Sequence, residues 1–161
     1  MGKITAPVPL QKQHNIDEFD CGVDVLNHWL KHQDRRNEPS GASRTYVVCH
    51  EQTVIGYYAL ATGSIEHTLL PSKLKRNMPD PIPVLVLGRL AVDQQWQSKQ
   101  IGRGLLKDVL LRCSRVANEI GIAALLVHCL SEHAKAFYMQ YGFIESPFEK
   151  MTLLLRMKDI R

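Results

Sequence analysis

The stretch QWQSKQIGRGLL, residues 95–106, decides how the chain is read. Two glycines, Gly102 and Gly104, stand one residue apart among lysine, arginine and amide side chains. An apolar stripe starts inside it. Ile101, Leu105, Val109, Cys113, Val116 and Ile120 recur at steps of three and four, which predicts a helix closed by Gly121. Upstream, Val84-Leu85-Val86-Leu87 is almost wholly apolar and reads as a strand buried on both faces, continuing to Val92. Glycines between a strand and a helix start let the backbone approach a ligand, and the first-turn amides there lack partners inside the helix. The helix dipole adds positive potential, so a pyrophosphate is the natural guest. A plain strand–helix turn that uses glycine for packing is the competing reading, and spacing alone divides the two about evenly. No Gly-Lys-Ser/Thr follows, so this is not a P-loop. A dinucleotide-binding loop would want a third glycine and an acid at a strand end, whereas Glu119 lies inside the helix stripe.

Working outward, Phe19, Val23, Leu26 and Leu30, with Trp29 beside them, predict an amphipathic helix over about 22–33, broken by Glu38-Pro39-Ser40-Gly41. Its other side carries His28, Lys31, His32 and Arg35 as one basic face. Two β-rich runs, 44–49 and 54–61, flank the polar His50-Glu51-Gln52 and read as a hairpin. The prolines of MPDPIP, 78–83, lack donors and predict an ordered loop rather than helix interior or central strand. Residues 123–128 form a second buried strand. Ser131 suits the N-cap of a short helix with Ala134, Phe137, Tyr138 and Tyr141 on one face and Gly142 behind it, and 151–157 give a last strand. The order predicts one α/β (α+β) domain built on a single sheet and spanning 1–161.

Composition sets limits around this reading. The chain is long enough for one domain with a real core and too short for two ordinary ones. No apolar run reaches the ~18 residues of a membrane span, and the first residues lack an apolar signal core, so a cytoplasmic location is expected. Cys21, Cys49, Cys113 and Cys129 are scattered and read as reduced, buried thiols. The formal charge of +4 is uneven, with basic groups at Lys31, Arg35, Arg36 and Arg44 and at Lys73, Lys75 and Arg76. Either group alone is an ordinary solvated surface; together they point to a polyanionic partner. His28 and His32 have metal-ligand spacing, but no glutamate follows His28 and no third ligand is evident, so no metal is expected.

Leu90-Ala-Val-Asp93 followed by Gln97-Ser-Lys-Gln-Ile-Gly102-Arg-Gly104 resembles the acetyl-CoA motif of the GCN5-related N-acetyltransferases (GNAT), which reads Gln/Arg-x-x-Gly-x-Gly/Ala. AKAFYMQYGF, 134–143, resembles their second motif, with the tyrosine and closing Gly-Phe in register. One departure is plain: the family's first glycine falls on Gln100. FDCGVDVLNHWL, GYYALATGSI, RNMPDPIPVLVLGRLAVD and LLVHCLSEHAKAFYMQYGF together resemble the TacT- and KacT-type acetyltransferase toxins of bacterial toxin–antitoxin modules. That resemblance implies a central mixed, mostly antiparallel sheet flanked by helices, with splayed strands binding acetyl-CoA. It implies acetylation of the α-amino group of aminoacyl-tRNA, which stops translation. It also implies a homodimer and a ribbon-helix-helix (DUF1778-like) antitoxin.

Carried over residue by residue, the resemblance places Leu90, Ala91 and Val92 at the thioester. It rings the pyrophosphate with Gln97, Ser98, Lys99, Gln100, Ile101, Gly102, Arg103 and Gly104, and adds Ser131 and Phe137 as further cofactor contacts. Tyr138 matches the tyrosine that protonates the departing thiolate. A thiol of pKa ~8.5 leaves more readily when an acid near ~10 donates to it. By spacing alone Tyr138, Phe137 and Tyr141 are equally packing residues of a helix stripe. For tRNA phosphates the candidates are Lys31, Arg35, Arg36, Lys75, Arg76 and Arg89. His128 and His133 flank the second motif with no spacing that assigns them a role, and no carboxylate stands out as a base, which leaves water to take the amine's proton. Two other readings stay open: acetylation of a protein or small-molecule amine, and a non-catalytic module binding RNA or an antitoxin.

Overall fold

The computed structural model describes residues 3–160, the side chains of residues 33–40 lying outside that description. In chain order its elements are β1 (Val8–Pro9), α1 (Asp24–Ser40), β2 (Arg44–His50), β3 (Thr53–Ile65), α2 (Ser72–Lys75), β4 (Ile82–Val92), α3 (Ile101–Ala117), β5 (Ala124–His128), α4 (Glu132–Met139), β6 (Ile144–Glu145) and β7 (Thr152–Arg156). The strands hydrogen-bond into one seven-stranded sheet in the order β1-β2-β3-β4-β5-β7-β6. It is mixed: β4 and β5 pair parallel, and the β1–β2, β2–β3, β5–β7 and β6–β7 pairs are antiparallel. The parallel pair is the one bridged by a helix, because parallel strands need a long crossover and α3 supplies it. The chain up to Ala61 with Gly88–Val109 forms one compact unit, and Thr62–Leu87 with Leu110 onward forms another.

In the first unit β2 and β3 make the expected hairpin, with Val47 opposite Tyr57 and Glu51 at a φ of 59° in the turn. Its core gathers Phe19, Leu26, Leu30, Val47, Val54 and Tyr57. The Tyr57 ring meets Phe19 edge-on at 5.5 Å and stacks on Trp29 at 5.7 Å. Val23, expected in the stripe, is 42% exposed because α1 starts one residue later. The helix also runs through Pro39 to Ser40, past the expected break. A proline this close to a helix end forfeits one hydrogen bond, and it is Gly41, at a φ of 77°, that turns the chain out.

In the second unit Ile65, Ile82, Val84, Ala124, Leu126 and Leu154 form the core. β4 begins at Ile82, so Pro83 lies inside a strand and not in the expected loop. The proline is tolerated because its position needs an acceptor: its carbonyl takes the Ala123 N–H at 2.9 Å. Lys73 and Lys75 sit on the single turn of α2. Leu105, Val109 and Cys113 of the α3 stripe are fully buried, but the helix ends at Ala117 and leaves Ile120 63% exposed beyond it. All four cysteines are free and buried, and burial pushes the Cys113 thiol up to about 12. Such thiols are inert. Among the described residues no helix is long and apolar enough to cross a membrane.

Candidate active site

The glycine loop is built from the end of β4. Asp93 closes that strand, and its carboxylate accepts from the Gln95 amide at 2.9 Å and from the Asp20 amide at 3.0 Å. A single 3-10 turn, Gln94–Trp96, follows. Ser98 and Gln100 then both adopt left-handed backbone, at φ 65° and 66°. The Gln100 carbonyl accepts from the Gly104 amide at 3.1 Å and so starts α3. Among the described residues, none accepts from the amides of Ser98 to Arg103. Consecutive free amides at left-handed turns before a helix make an anion-binding concavity. The left-handed φ also explains why glycine belongs where this chain has Gln100: the position demands a conformation that side chains resist. A Cβ built on Gly104 meets nothing within 4 Å. Packing within the protein therefore does not require glycine there. Lys99 and Arg103 are exposed on this loop, Leu90 and Val92 are half-buried, and Ala91 is buried.

Gln97, expected at the pyrophosphate, has its side chain committed within the protein. Its amide donates to the carbonyls of Val92, at 2.9 Å, and Cys21, at 3.2 Å. The N-terminal segment locks onto the same turn. The Asp20 carbonyl accepts from Gln94 at 2.8 Å, and its carboxylate accepts from the Gly22 amide and the Asn27 side chain, each at 2.9 Å. Those two donors hold the Asp20 carboxyl below the usual carboxylate range. Asn27 in turn accepts from the Cys21 amide at 2.8 Å. Gly22 is at a φ of 90°, and a Cβ there would come within 2.5 Å of the Gln94 side chain. Sequence reading gave these residues no role. The signal was the Asp-x-Gly turn of Asp20 to Gly22, an aspartate bonding two residues ahead.

In the second unit Ser131 caps α4, its hydroxyl accepting from Ala134 at 3.1 Å, and Gly142 follows at a φ of 95°. The Tyr138 ring is buried edge-on between Phe137, at 5.2 Å, and Phe143, at 5.5 Å. Its hydroxyl bonds to none of the described residues, whereas the buried Tyr57 hydroxyl donates to the Leu26 carbonyl at 2.8 Å. Burial, and secondarily the Cys129 thiol, pushes the Tyr138 pKa well above the usual phenol value. Tyr138 thus combines a packed ring with a protonated, uncommitted hydroxyl. Phe137 is half-buried and also meets Tyr141 edge-on.

The basic candidates are scattered. Lys31 is exposed on α1 and lines a polar cleft of about 230 Å³ together with Lys12, His14 and Asp17. Lys75 is half-buried and donates to the His67 carbonyl at 3.3 Å, while Lys73 and Arg76 are exposed. Arg89 is half-buried, with its guanidinium 5.4 Å from the Trp29 ring centroid and one nitrogen donating to the Gly88 carbonyl. Arg35 and Arg36 lie outside the described residues. The His28 and His32 rings lie 4.1 Å apart, and among the described residues no group of three histidine, cysteine or acidic side chains is placed to hold a metal ion.

The acetyltransferase (GNAT) domain matches residues 41–145. The chain belongs to the GNAT acetyltransferases. It is 40% identical over 161 residues to the tRNA-acetylating toxin of Mycobacterium tuberculosis (strain ATCC 25618 / H37Rv), covering all of this chain and 97% of that protein. The crystal structure of AtaTR bound with acetyl-CoA matches with a TM-score of 0.86 at 32% identity, over 98% of this chain and 95% of that one. AtaT complexed with acetyl-methionyl-tRNAfMet matches with a TM-score of 0.89 at 29% identity, over 98% and 97%. For a GNAT enzyme the free amides from Ser98 to Arg103 and the open face of Gly104 fit the pyrophosphate of acetyl-CoA. Acetyl-CoA supplies an acetyl group activated as a thioester.

Proposed function

We propose that this acetyltransferase moves acetyl from acetyl-CoA to the α-amino group of aminoacyl-tRNA and so stops translation, as the toxin of a toxin–antitoxin pair. One observation carries the reading. The likeness to the tRNA-acetylating toxin takes in the whole chain, beyond the 41–145 GNAT segment, and so includes the Asp20–Asn27 lock and the start of α1. An acetylated α-amine cannot act as a nucleophile, which accounts for the block in peptide synthesis.

In this reading the whole of 1–161 works as one domain. The backbone of Leu90, Ala91 and Val92 donates to the thioester carbonyl, where negative charge develops during attack. The loop from Ser98 to Gly104 holds the pyrophosphate through backbone amides, with Lys99 and Arg103 adding charge. Gln97 keeps the loop fastened to β4, Ser131 sets the start of α4, and Phe137 packs the ring of Tyr138. Tyr138 gives its proton to the leaving sulfur. Lys31, Arg35, Arg36, Lys75, Arg76 and Arg89 take tRNA phosphates. The enzyme works in the cytoplasm as a homodimer and is silenced by a ribbon-helix-helix, DUF1778-like antitoxin. The test mixes purified protein, labelled acetyl-CoA and a pool of charged tRNAs. Label on the aminoacyl group is expected; label confined to a protein or small amine would replace the substrate.

A further inference from the structure

Resting on that reading, we infer that His128 is the base that takes the proton from the amino group being acetylated. His128 is the last residue of β5, and its side chain is exposed. It sits opposite Thr152 of β7, so the two side chains share one face of the sheet. Its Nδ1 lies 2.8 Å from the Thr152 hydroxyl oxygen, and that hydroxyl donates to Glu149 at 3.0 Å. The directions of these bonds are fixed in sequence. An ionised carboxylate only accepts, so the Thr152 proton must point to Glu149. The Thr152 oxygen is then left to accept, so Nδ1 of His128 must carry a hydrogen. In the neutral ring the lone pair therefore sits on Nε2. That nitrogen bonds to none of the described residues.

The relay is held firmly. Glu149 also accepts from the Met151 amide at 3.0 Å, and these donors keep its carboxyl below the usual range, hence ionised. The Ser146 hydroxyl donates to the Glu149 carbonyl at 2.7 Å and accepts its amide at 3.1 Å. Thr152 is 1% exposed, so the middle link is shielded from water. β5 ends at His128 and Ser131 caps α4 three residues on, so the histidine stands at the corner where the strand passes into the helix that carries Tyr138. The charged groups around this corner are Glu149, Glu132 and Lys135, the last ion-paired with Glu145.

The proton balance closes. Nε2 of His128 takes one proton from the ammonium. The free amine forms the new C–N bond as the thioester C–S bond breaks. The electron pair leaves with sulfur, which takes the Tyr138 proton. The second nitrogen proton returns through solvent to Tyr138, and His128 releases its proton to water.

Two measurements test this. In ¹⁵N NMR of histidine-labelled protein, which needs no substrate, His128 is expected as the Nδ1–H tautomer, and Thr152→Val is expected to release it to a mixture while Thr152→Ser keeps it. A proton on Nε2 in the wild type overturns the inference. In kinetics with charged tRNA, His128→Ala should lower kcat about a hundredfold. KM for tRNA and the affinity for acetyl-CoA should hold, and added imidazole should restore part of kcat. Unchanged kcat, a loss confined to KM, or no response to imidazole each overturns it. A wild type that acetylates no charged tRNA defeats the substrate reading instead, while the NMR arm still decides the relay.

Discussion

A tyrosine can be buried for its ring or for its hydroxyl, and Tyr57 and Tyr138 separate the two. Tyr57→Phe removes the donor to the Leu26 carbonyl and should cost about 1–3 kcal/mol of stability while leaving folded enzyme active. Tyr138→Phe removes a hydroxyl that bonds to none of the described residues. It should leave the melting temperature nearly unchanged and lower kcat about a hundredfold, with acetyl-CoA affinity kept. Steady-state kinetics beside thermal melts of both variants would check the pair, and near-normal turnover in Tyr138→Phe would take it out of the mechanism. The direction of the Tyr138 shift adds a pH expectation. Its acid form persists to higher pH than a free phenol's, so no alkaline fall in rate below about pH 10 should trace to this residue. Gln100 sits at a φ of 66°, which costs a non-glycine residue about 1–2 kcal/mol, against about 0.5–1 kcal/mol for glycine's extra freedom in the unfolded chain. Gln100→Gly should therefore stabilise by up to about 1 kcal/mol without loosening the cofactor, read by melting and by calorimetry with acetyl-CoA.

At the scale of elements, α3 shows what a sequence can and cannot reveal. Its stripe, its preceding strand and its glycine loop were readable because each follows a local period. Two things at the loop were not. The fastening of Gln97, whose side-chain amide donates to the Cys21 carbonyl, was hidden because that partner lies far away in sequence. The His128–Thr152–Glu149 relay was invisible for the same reason: strand pairing brings together residues 24 apart in the chain. Pro83 misled in the other direction, since a proline forbids a donor and that strand position uses its acceptor. Gly104 gives this scale its prediction. A helix interior favours alanine over glycine by about 1 kcal/mol, and a methyl group there meets nothing of the protein. Gly104→Ala should thus raise the melting temperature of the free protein and weaken acetyl-CoA. Equal affinity by calorimetry would return the glycine to a role in folding alone.

Over the whole molecule, charge matters in two separate ways. Asp20, Glu145 and Glu149 all have carboxyls held below the usual range by hydrogen bonds. A folded pKa below the unfolded value stabilises above roughly pH 4 and is lost as pH falls through the folded value. The melting temperature should therefore hold near neutrality and fall in acid, and Glu145→Gln, which deprives Lys135 of its partner, should flatten that fall. The net charge of +4 matters instead for association. Each phosphate contact made by a lysine or arginine releases counterions, steepening the salt dependence of tRNA binding by nearly one unit of slope. The basic side chains differ in what they can give. Lys135 is spent on Glu145, Arg89 is braced against Trp29, and Lys75 is tied to the His67 carbonyl, whereas Lys31 and Arg76 are exposed. Lys31→Ala and Arg76→Ala should each weaken tRNA and flatten the slope by close to one unit, and Lys75→Ala by less. Acetyl-CoA affinity should hold in all three, because the pyrophosphate loop is a different element. Salt titrations of tRNA binding beside acetyl-CoA titrations make the check. An unchanged slope in both exposed variants would mean that these side chains are solvated charge, and that the RNA lies across another face.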